Sequence, residues 1–450
     1  VSLTLDAIRP CLEGTIPSAV ATCAPDGIPN VAFLSHVHYV DARHVALSYQ
    51  FFNKTRRNVL ANPHAAVMVV DPDTAAQYRL ALRYLRTETG GALFEYMKAR
   101  LAGIASHVGM AKVFRLEGAD VYEVLGLERV PGPALAPAEP RPGLLGPLRA
   151  CSRRLLACTE LGELLDEALA GLEAHFGIRH AMLLLLDETG ERLYTVASRG
   201  YAASGVGSEI PLGSGIVGVA ARERTPIRIG HLAREYLYLD AVREGMRRAG
   251  PAPGLETEIP LPGLRDARSQ LAVPVAGPGG LVGVLYVESP REMRFSHEHE
   301  DALVTLADTL ALAFEALSRG AEGRPPPGAS RPAPRRAAGE PVTVRHYAAD
   351  DSVFLGCDYL IKGVAGAVLW ALLTEHARSG RTEFTNRELR LDPAIPLPDL
   401  CDNLEARLIL LQRRLAERGA CVRIEKTGRG RFHLRVERPL ELVAMPAGPA

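Results

Sequence analysis

Two proline-rich stretches constrain this chain more than any other feature, because neither can carry a helix or a sheet ladder through itself. They are Pro131 to Pro147 (PGPALAPAEPRPGLLGP) and Gly320 to Pro341 (GAEGRPPPGASRPAPRRAAGEP), and both lack hydrophobic periodicity. They read as linkers, the second semi-rigid and extended. The 450 residues are thereby cut into segments of roughly 130, 170 and 110, each near the usual size of a domain. The expected boundaries are a domain at 1–130, a linker at 131–147, a domain at 148–318, a linker at 319–341 and a domain at 342–440. No internal repeat is visible.

The last segment carries the sharpest local pattern. Leu404, Leu408, Leu411 and Leu415 recur at helical spacing and predict one apolar face on a helix over 403–419. Arg407, Arg413, Arg414 and Arg418 lie off that face. Val422 and Ile424, then Phe432, Leu434 and Val436, alternate with basic residues and predict a two-stranded ribbon turning at Thr427 to Gly430. Between Arg407 and Arg438 ten Arg/Lys stand against three acids, on a chain whose formal total is zero. A helix beside a basic glycine hairpin is suited to a major groove and its flanking phosphates. Upstream, Arg345 to Ile361 reads as short strands and Val364 to Gly380 as a helix. Thr385 is expected to cap a short helix in a capping box with Glu388.

Seven cysteines are scattered with no C-x-x-C pair, which suits reduced thiols in a cytoplasm and argues against a zinc site or disulfides. No apolar run approaches the roughly 18 residues of a membrane span. The start shows no basic-then-apolar leader pattern. A soluble cytoplasmic chain without a resident metal is therefore expected.

In the first segment, β-rich runs alternate with turns at Pro25-Asp26-Gly27 and Asp41-Ala42-Arg43. Asn53, Lys54, Thr55 and Arg57 stand at the start of a short helix that ends before Asn62-Pro63. Backbone N–H groups, a hydroxyl and cations together make an anion site. From about Ile16 to Leu127 the segment resembles the FMN-binding split barrel of the pyridoxamine-phosphate oxidase-like proteins. That resemblance implies a homodimer with flavin at the subunit interface. The phosphate would fall on Asn53, Lys54 and Thr55, and Ser35, His36, Ser48, Tyr49 and Gln50 would line the flavin. The oxidases' Trp-Gly-Gly-Tyr-Arg-type substrate segment has no counterpart, since the one tryptophan, Trp370, lies in another segment. His36 and His38 share a strand face and are the only evident proton carriers.

In the middle segment, Leu148 to His175 is expected as one amphipathic helix, followed by strands, a hairpin at Gly279-Gly280 and a helix beginning at Ser296. The pieces PLGSGIVGVAARERTPIRI, RSQLAVPV, GGLVGVLYVES and FSHEHEDALVTLADTLALAF resemble a GAF sensory domain over about Leu148 to Leu317. That family implies a small-ligand cavity over the sheet, or dimerisation through flanking helices. His231, Tyr236 and Tyr238 fall in the stretch that would roof the pocket. Gly213-x-Gly215 lacks the Gly-Lys-Ser/Thr ending of a phosphate loop and reads as a turn before a packed helix.

The last segment resembles the winged-helix effector domain of response regulators over about Val342 to Val436, most specifically in EKTGRGRFHLRV. By that resemblance Asn403, Arg407, Leu410, Gln412, Arg413, Arg414 and Lys426 are candidates for groove and phosphate contacts, and Arg429 and Arg431 for the wing tip. The expected fold class is multidomain α+β: a split β-barrel, a GAF α/β sandwich with an antiparallel sheet, and a winged helix-turn-helix. The expected function is a cytoplasmic sensory transcriptional regulator with DNA and a small ligand as partners. An FMN-dependent oxidoreductase with regulatory domains is the alternative, and a tail that binds protein is a third reading.

Overall fold

The computed structural model describes residues 3–13, 16–34, 36–50, 54–107, 115–135, 143–230, 259–320, 339–395, 397, 404–428 and 430–445. The first domain opens with a 3-10 turn at Asp6–Leu12 and builds seven strands. They are β1 (Ser18–Cys23), β2 (Pro29–Leu34), β3 (Val37–Asp41), β4 (His44–Tyr49), β5 (His64–Val70), β6 (Gln77–Glu88) and β7 (Gly118–Arg129), in the order β2-β1-β5-β6-β7-β4-β3. Every pairing is antiparallel. Val37 on one edge strand and Ala32 and Leu34 on the other pack against the same core, with Val20, Val67, Leu80 and Tyr122. A sheet whose two edges share one core wraps round on itself, which is the split barrel. Helix α1 (Lys54–Ala61) joins β4 to β5, and helix α2 (Ala92–His107) joins β6 to β7.

The middle domain is a six-stranded antiparallel sheet. Its strands are β8 (His180–Leu186), β9 (Arg192–Arg199), β10 (Glu209–Pro211), β11 (Ile227–Ile229), β12 (Ser269–Gly277) and β13 (Gly280–Ser289), ordered β10-β9-β8-β13-β12-β11. The single helix expected over 148–175 is instead two, α3 (Leu145–Ala157) and α4 (Leu161–Phe176), broken at Cys158-Thr159-Glu160. The break lets α4 fold back on α3, so both lay leucines on one side of the sheet beside α6 (His297–Gly320). Helix α5 (Gly215–Glu223) covers the other side.

The tail domain runs β14 (Val342–Tyr347), β15 (Ser352–Leu355), β16 (Asp358–Ile361), α7 (Gly363–Ser379), β17 (Glu383–Thr385), α8 (Asn386–Arg390), α9 (Leu404–Glu417), β18 (Val422–Gly428) and β19 (Arg431–Val436). The capping box forms: Thr385 Oγ1 accepts from the Glu388 N–H, and the Glu388 carboxylate accepts from the Thr385 N–H. Strand β20 (Leu440–Met445) pairs in parallel with β14, so the tail extends beyond the expected limit at 440.

The three units are packed together, which the linkers did not foretell. Ala99 of α2 belongs to the α5-side core of the middle sheet. Gly103 makes that approach feasible, because a Cβ there would sit 2.4 Å from Ile227 Cγ2. On the other side, the tail's core is continuous with the core around α3, α4 and α6.

Candidate functional site

The barrel cleft lies where α1 meets β4. It is lined by Phe33, Leu34, Ser48, Tyr49, Gln50, Thr55, Arg56, Val59, Asp120 and Tyr122, among others, and has about 570 Å³ of space open to solvent. Thr55, Arg56 and Val59 reach it because i, i+1 and i+4 share one side of a helix. Thr55 Oγ1 accepts from Asn30 Nδ2 at 2.8 Å. Arg56 pairs with Asp120, donates to Thr87 Oγ1 at 2.8 Å, and lies 4.4 Å from the Tyr49 ring centroid. Lys54 and Arg57 are exposed beside the cleft mouth. Gln50 Nε2 donates to Ser48 Oγ at 3.4 Å, while Gln50 Oε1 is buried with no partner among the described residues.

Ser48, Tyr49, Gln50 and Thr55 therefore come together as expected. Ser35 and Asn53 lie outside the described residues. The expectation that His36 lines this cleft is corrected: its ring is buried at the junction with the middle domain, 5.6 Å from His38, which in turn meets Tyr96 at 5.0 Å. His36 precedes β3 and is not among the residues that line the cleft. Arg56 escaped the sequence reading; its signal was the helical spacing Thr55–Arg56–Val59.

At the junction, Arg228 donates to Glu13 Oε2 and Glu300 Oε2, each at 2.7 Å. Tyr96 donates to Glu300 Oε1 at 3.0 Å, and Arg100 lies 3.6 Å from Glu300 Oε2. His297 Nδ1 is 2.8 Å from Glu13 Oε1. Burial pushes the His36 and His38 rings toward neutrality, His38 down to about 4, and the Arg100 cation adds to it. Burial alone would raise Glu13 and Glu300. The bonds to His297 and Arg228 in one case, and the charges of Arg100 and Arg228 in the other, hold both below the usual carboxylate range.

On the α5 side of the middle sheet, Glu288 is buried and accepts from the Leu264 N–H at 2.7 Å, Tyr286 Oη at 3.0 Å and Gln270 Nε2 at 3.4 Å. Burial raises its carboxyl despite these donors. An acid on an otherwise apolar strand, two residues after Tyr286 on the same face, was the missed signal. His231, Tyr236 and Tyr238 lie outside the described residues, as do Asn403 and Arg429.

In the tail, Leu404, Leu408, Leu411 and Leu415 are all core. The arginines off that face were expected to be open to DNA. The structure corrects this: Arg407 and Arg414 are buried, and Arg413 is half-buried. Arg407 pairs with Glu188 and stacks 3.7 Å from the Tyr194 ring centroid, both in the middle domain. Arg413 donates to Val196 O at 2.8 Å and Asp166 Oδ1 at 2.7 Å. Arg414 donates to Leu360 O at 3.1 Å, and Gln412 to Ile424 O at 3.2 Å. Lys426 reaches Glu160 at 3.2 Å and Glu405 at 3.1 Å, while Arg431 is exposed.

Residues 4–125 match the family model described as pyridoxamine 5'-phosphate oxidase, and residues 158–315 match that of the GAF domain. The chain thus carries a pyridoxamine 5'-phosphate oxidase-type domain followed by a GAF domain. It is 34% identical over 70 residues to an uncharacterized protein of Methanocaldococcus jannaschii, a match covering 15% of this chain and 47% of that protein, about half its length. Among solved structures it is similar to the GAF domain of an Acinetobacter phosphoenolpyruvate-protein phosphotransferase (24% identity, 40% of this chain and 96% of that one, TM-score 0.31). It is also similar to an FMN-binding protein from Syntrophomonas wolfei (16% identity, 28% and 86% covered, TM-score 0.24). A third is free methionine-R-sulfoxide reductase from Neisseria meningitidis (22% identity, 38% and 89% covered, TM-score 0.29). Among the described residues no helix is long and apolar enough to cross a membrane.

Proposed function

We propose that the chain is a cytoplasmic sensory regulator: the barrel and the GAF domain read chemical signals, and the tail binds DNA as a winged helix. The observation that carries this reading is the packing of all three units around one sheet. Helix α2 of the barrel joins the core on one side of the GAF sheet, and the tail joins the core on the other. A catalytic domain with loose appendages has no need of such fusion, whereas a device that converts ligand state into a change at a distant element does.

FMN suits the barrel cleft. Thr55, Lys54 and the first N–H groups of α1 would hold the phosphate at a positive helix end. Ser48, Tyr49 and Gln50 would border the ring, and the unpartnered Gln50 Oε1 is an acceptor for a ligand N–H. Bound flavin would supply reversible redox chemistry, and hence a signal. Arg56, tied to Asp120 and Tyr49, shapes the cleft wall. The FMN-dependent oxidoreductase reading gains nothing from the geometry, since His36 and His38 sit at the domain junction and not among the cleft's lining residues. On the GAF side a small ligand would rest over the α5 face, with Tyr286 and Glu288 at its base.

Two measurements on the purified chain test this. The oxidised-flavin absorbance bands, present on isolation or after adding FMN, are expected in the wild type and are expected to weaken in Thr55→Ala. A protein that takes up no FMN reduces the barrel to a scaffold. Binding to duplex DNA should weaken steeply as salt rises, because phosphate contacts release counterions. Salt-insensitive binding, or none in any variant with α9 exposed, leaves the tail as a protein-binding module.

A further inference from the structure

Helix α9 is covered on two sides. One side carries the four leucines into the tail's own core, and the other lies on the GAF domain against α4 and β9. The second side is the one that carries Arg407, Arg413 and Arg414, the residues a groove-reading helix would present. Among the described residues, every ion pair across this interface has the same polarity. The GAF domain supplies Glu160, Asp166, Glu188 and Glu209, and the tail supplies Lys426, Arg413, Arg407 and Lys362.

The fit is specific as well as electrostatic. Glu188 meets Arg407 with two parallel bonds, one of 2.8 Å, while the Tyr194 ring covers the guanidinium face. That is how a phosphate and a stacked ring would engage the same group. Arg414 also packs beside Gly207 of the GAF domain, its Cδ at ordinary contact distance, 3.6 Å, from where a Cβ would stand. Ser204 Oγ donates to Glu417 at the end of the helix. Wing residues Arg423, Arg431 and Arg435 stay exposed, so the docked surface is the helix and the root of the wing.

We propose that this acidic face of the GAF domain is an internal competitor for DNA, occupying the arginines of α9 as a phosphate backbone would and keeping the tail closed. The inference rests on the reading of the tail as a DNA-binding unit. Docking and groove reading are mutually exclusive, because the same guanidinium groups serve both. The strand that carries the dock also faces the ligand side: Leu193 of β9 belongs to the α5-side core, and its neighbour Tyr194 stacks on Arg407. A ligand that shifts β9 would therefore loosen the dock.

The test uses the full chain and the double variant Glu188→Gln with Asp166→Asn, which removes charge and keeps shape. Hydrogen exchange across 404–417 reports docking, and anisotropy with a labelled mixed-sequence duplex reports DNA binding over a salt series. Faster exchange is expected in the variant, with DNA affinity at least tenfold higher. Its log–log salt slope should be steeper by roughly 2–3, since Arg407, Arg413 and Lys426 each gain a phosphate worth about 0.9. Adding Arg407→Gln should take back much of the gain. Unchanged exchange and unchanged affinity overturn the competitor. So does a wild type that already binds as tightly and as steeply as the variant, although the tail's DNA reading then stands. Faster exchange without DNA binding at any salt overturns the DNA reading itself, and the competitor with it.

Discussion

Replacing Arg228 with leucine should separate the barrel from the GAF domain, because this side chain joins a carboxylate from each. It is 2% exposed and donates to Glu13 and Glu300 at 2.7 Å each. Removing one partner of a buried ion pair costs about 3–5 kcal/mol, since the other charge stays buried and uncompensated. Here both acids keep a second partner, His297 for Glu13 and Arg100 with Tyr96 for Glu300. A cost just below that range, about 2–3 kcal/mol, is therefore expected. At roughly 2–4 °C per kcal/mol the first calorimetric transition should fall by about 5–10 °C at pH 7.5. The pH dependence fixes the cause. In the wild type both carboxyls are held below their unfolded value, so their contribution is complete above that value and is lost as pH falls through the folded one. Without Arg228 the buried acids lose the cation they share and titrate upward. The deficit should then shrink as pH falls from 7.5 toward 5, because protonation removes the unpaired charge. Scanning calorimetry of both proteins at the two pH values decides it. A deficit under about 1 kcal/mol at pH 7.5, or one that grows on acidification, refutes the reasoning.

Two further outcomes follow from the same geometry. His38 is pushed down to about 4, so its neutral form stabilises the junction above pH 6.5, and that stability is lost as pH falls from 6.5 toward 4. His38→Phe should recover about 2–3 kcal/mol at pH 4.5 relative to pH 7.5, measured by denaturant unfolding; an unaltered pH profile contradicts the assignment. On the barrel, Val31 and Phe33 project from edge strand β2 with 70% and 86% of their surface exposed, an apolar face suited to a second copy of the chain. Phe33→Asp should weaken a dimer by roughly 10–100-fold in sedimentation equilibrium, given about 1.5–3 kcal/mol for burying a phenylalanine; unchanged mass at all concentrations would falsify that interface.

Local periodicity was legible and global contact was not. The leucine stripe of α9, the Thr385 capping box and the alternation of β18 and β19 all depend on neighbours within a few residues, and each is present. The break between α3 and α4 was missed because LACTELGELL contains no proline and keeps helical spacing through the break. The break follows from packing both halves on one sheet. Buried charges were least legible. Arg228 between Ile227 and Ile229, and Arg407 among leucines, look like solvated cations until the partner appears, and the partners lie 72 and 219 residues away. In the cleft, Tyr49, Gln50 and Thr55 were found because a strand end and a helix start adjoin in sequence, whereas Asp120 comes from a strand far along the chain.

The two linkers invited a picture of beads on a string, in which one domain bears on the next only through its tether. The packed interfaces allow a shorter route. Strand β9 presents Leu193 to the α5 side of the GAF sheet and Tyr194 to Arg407 on the tail side. A strand cannot move one face without the other, since successive side chains leave opposite sides of a single backbone. Helix α2 adds the barrel to the same sheet through Ala99 and the Arg100–Glu300 pair. Barrel and tail thus bear on one sheet from opposite sides, and the tail is held there by a shared apolar core together with ion pairs. Of these pairs, Arg413–Asp166 and Lys426–Glu160 are the more exposed and so the ones that salt weakens most readily. If the tail is released as proposed, these pairs are what must break, and the leucine stripe of α9, buried in the tail's own core, would keep the tail folded.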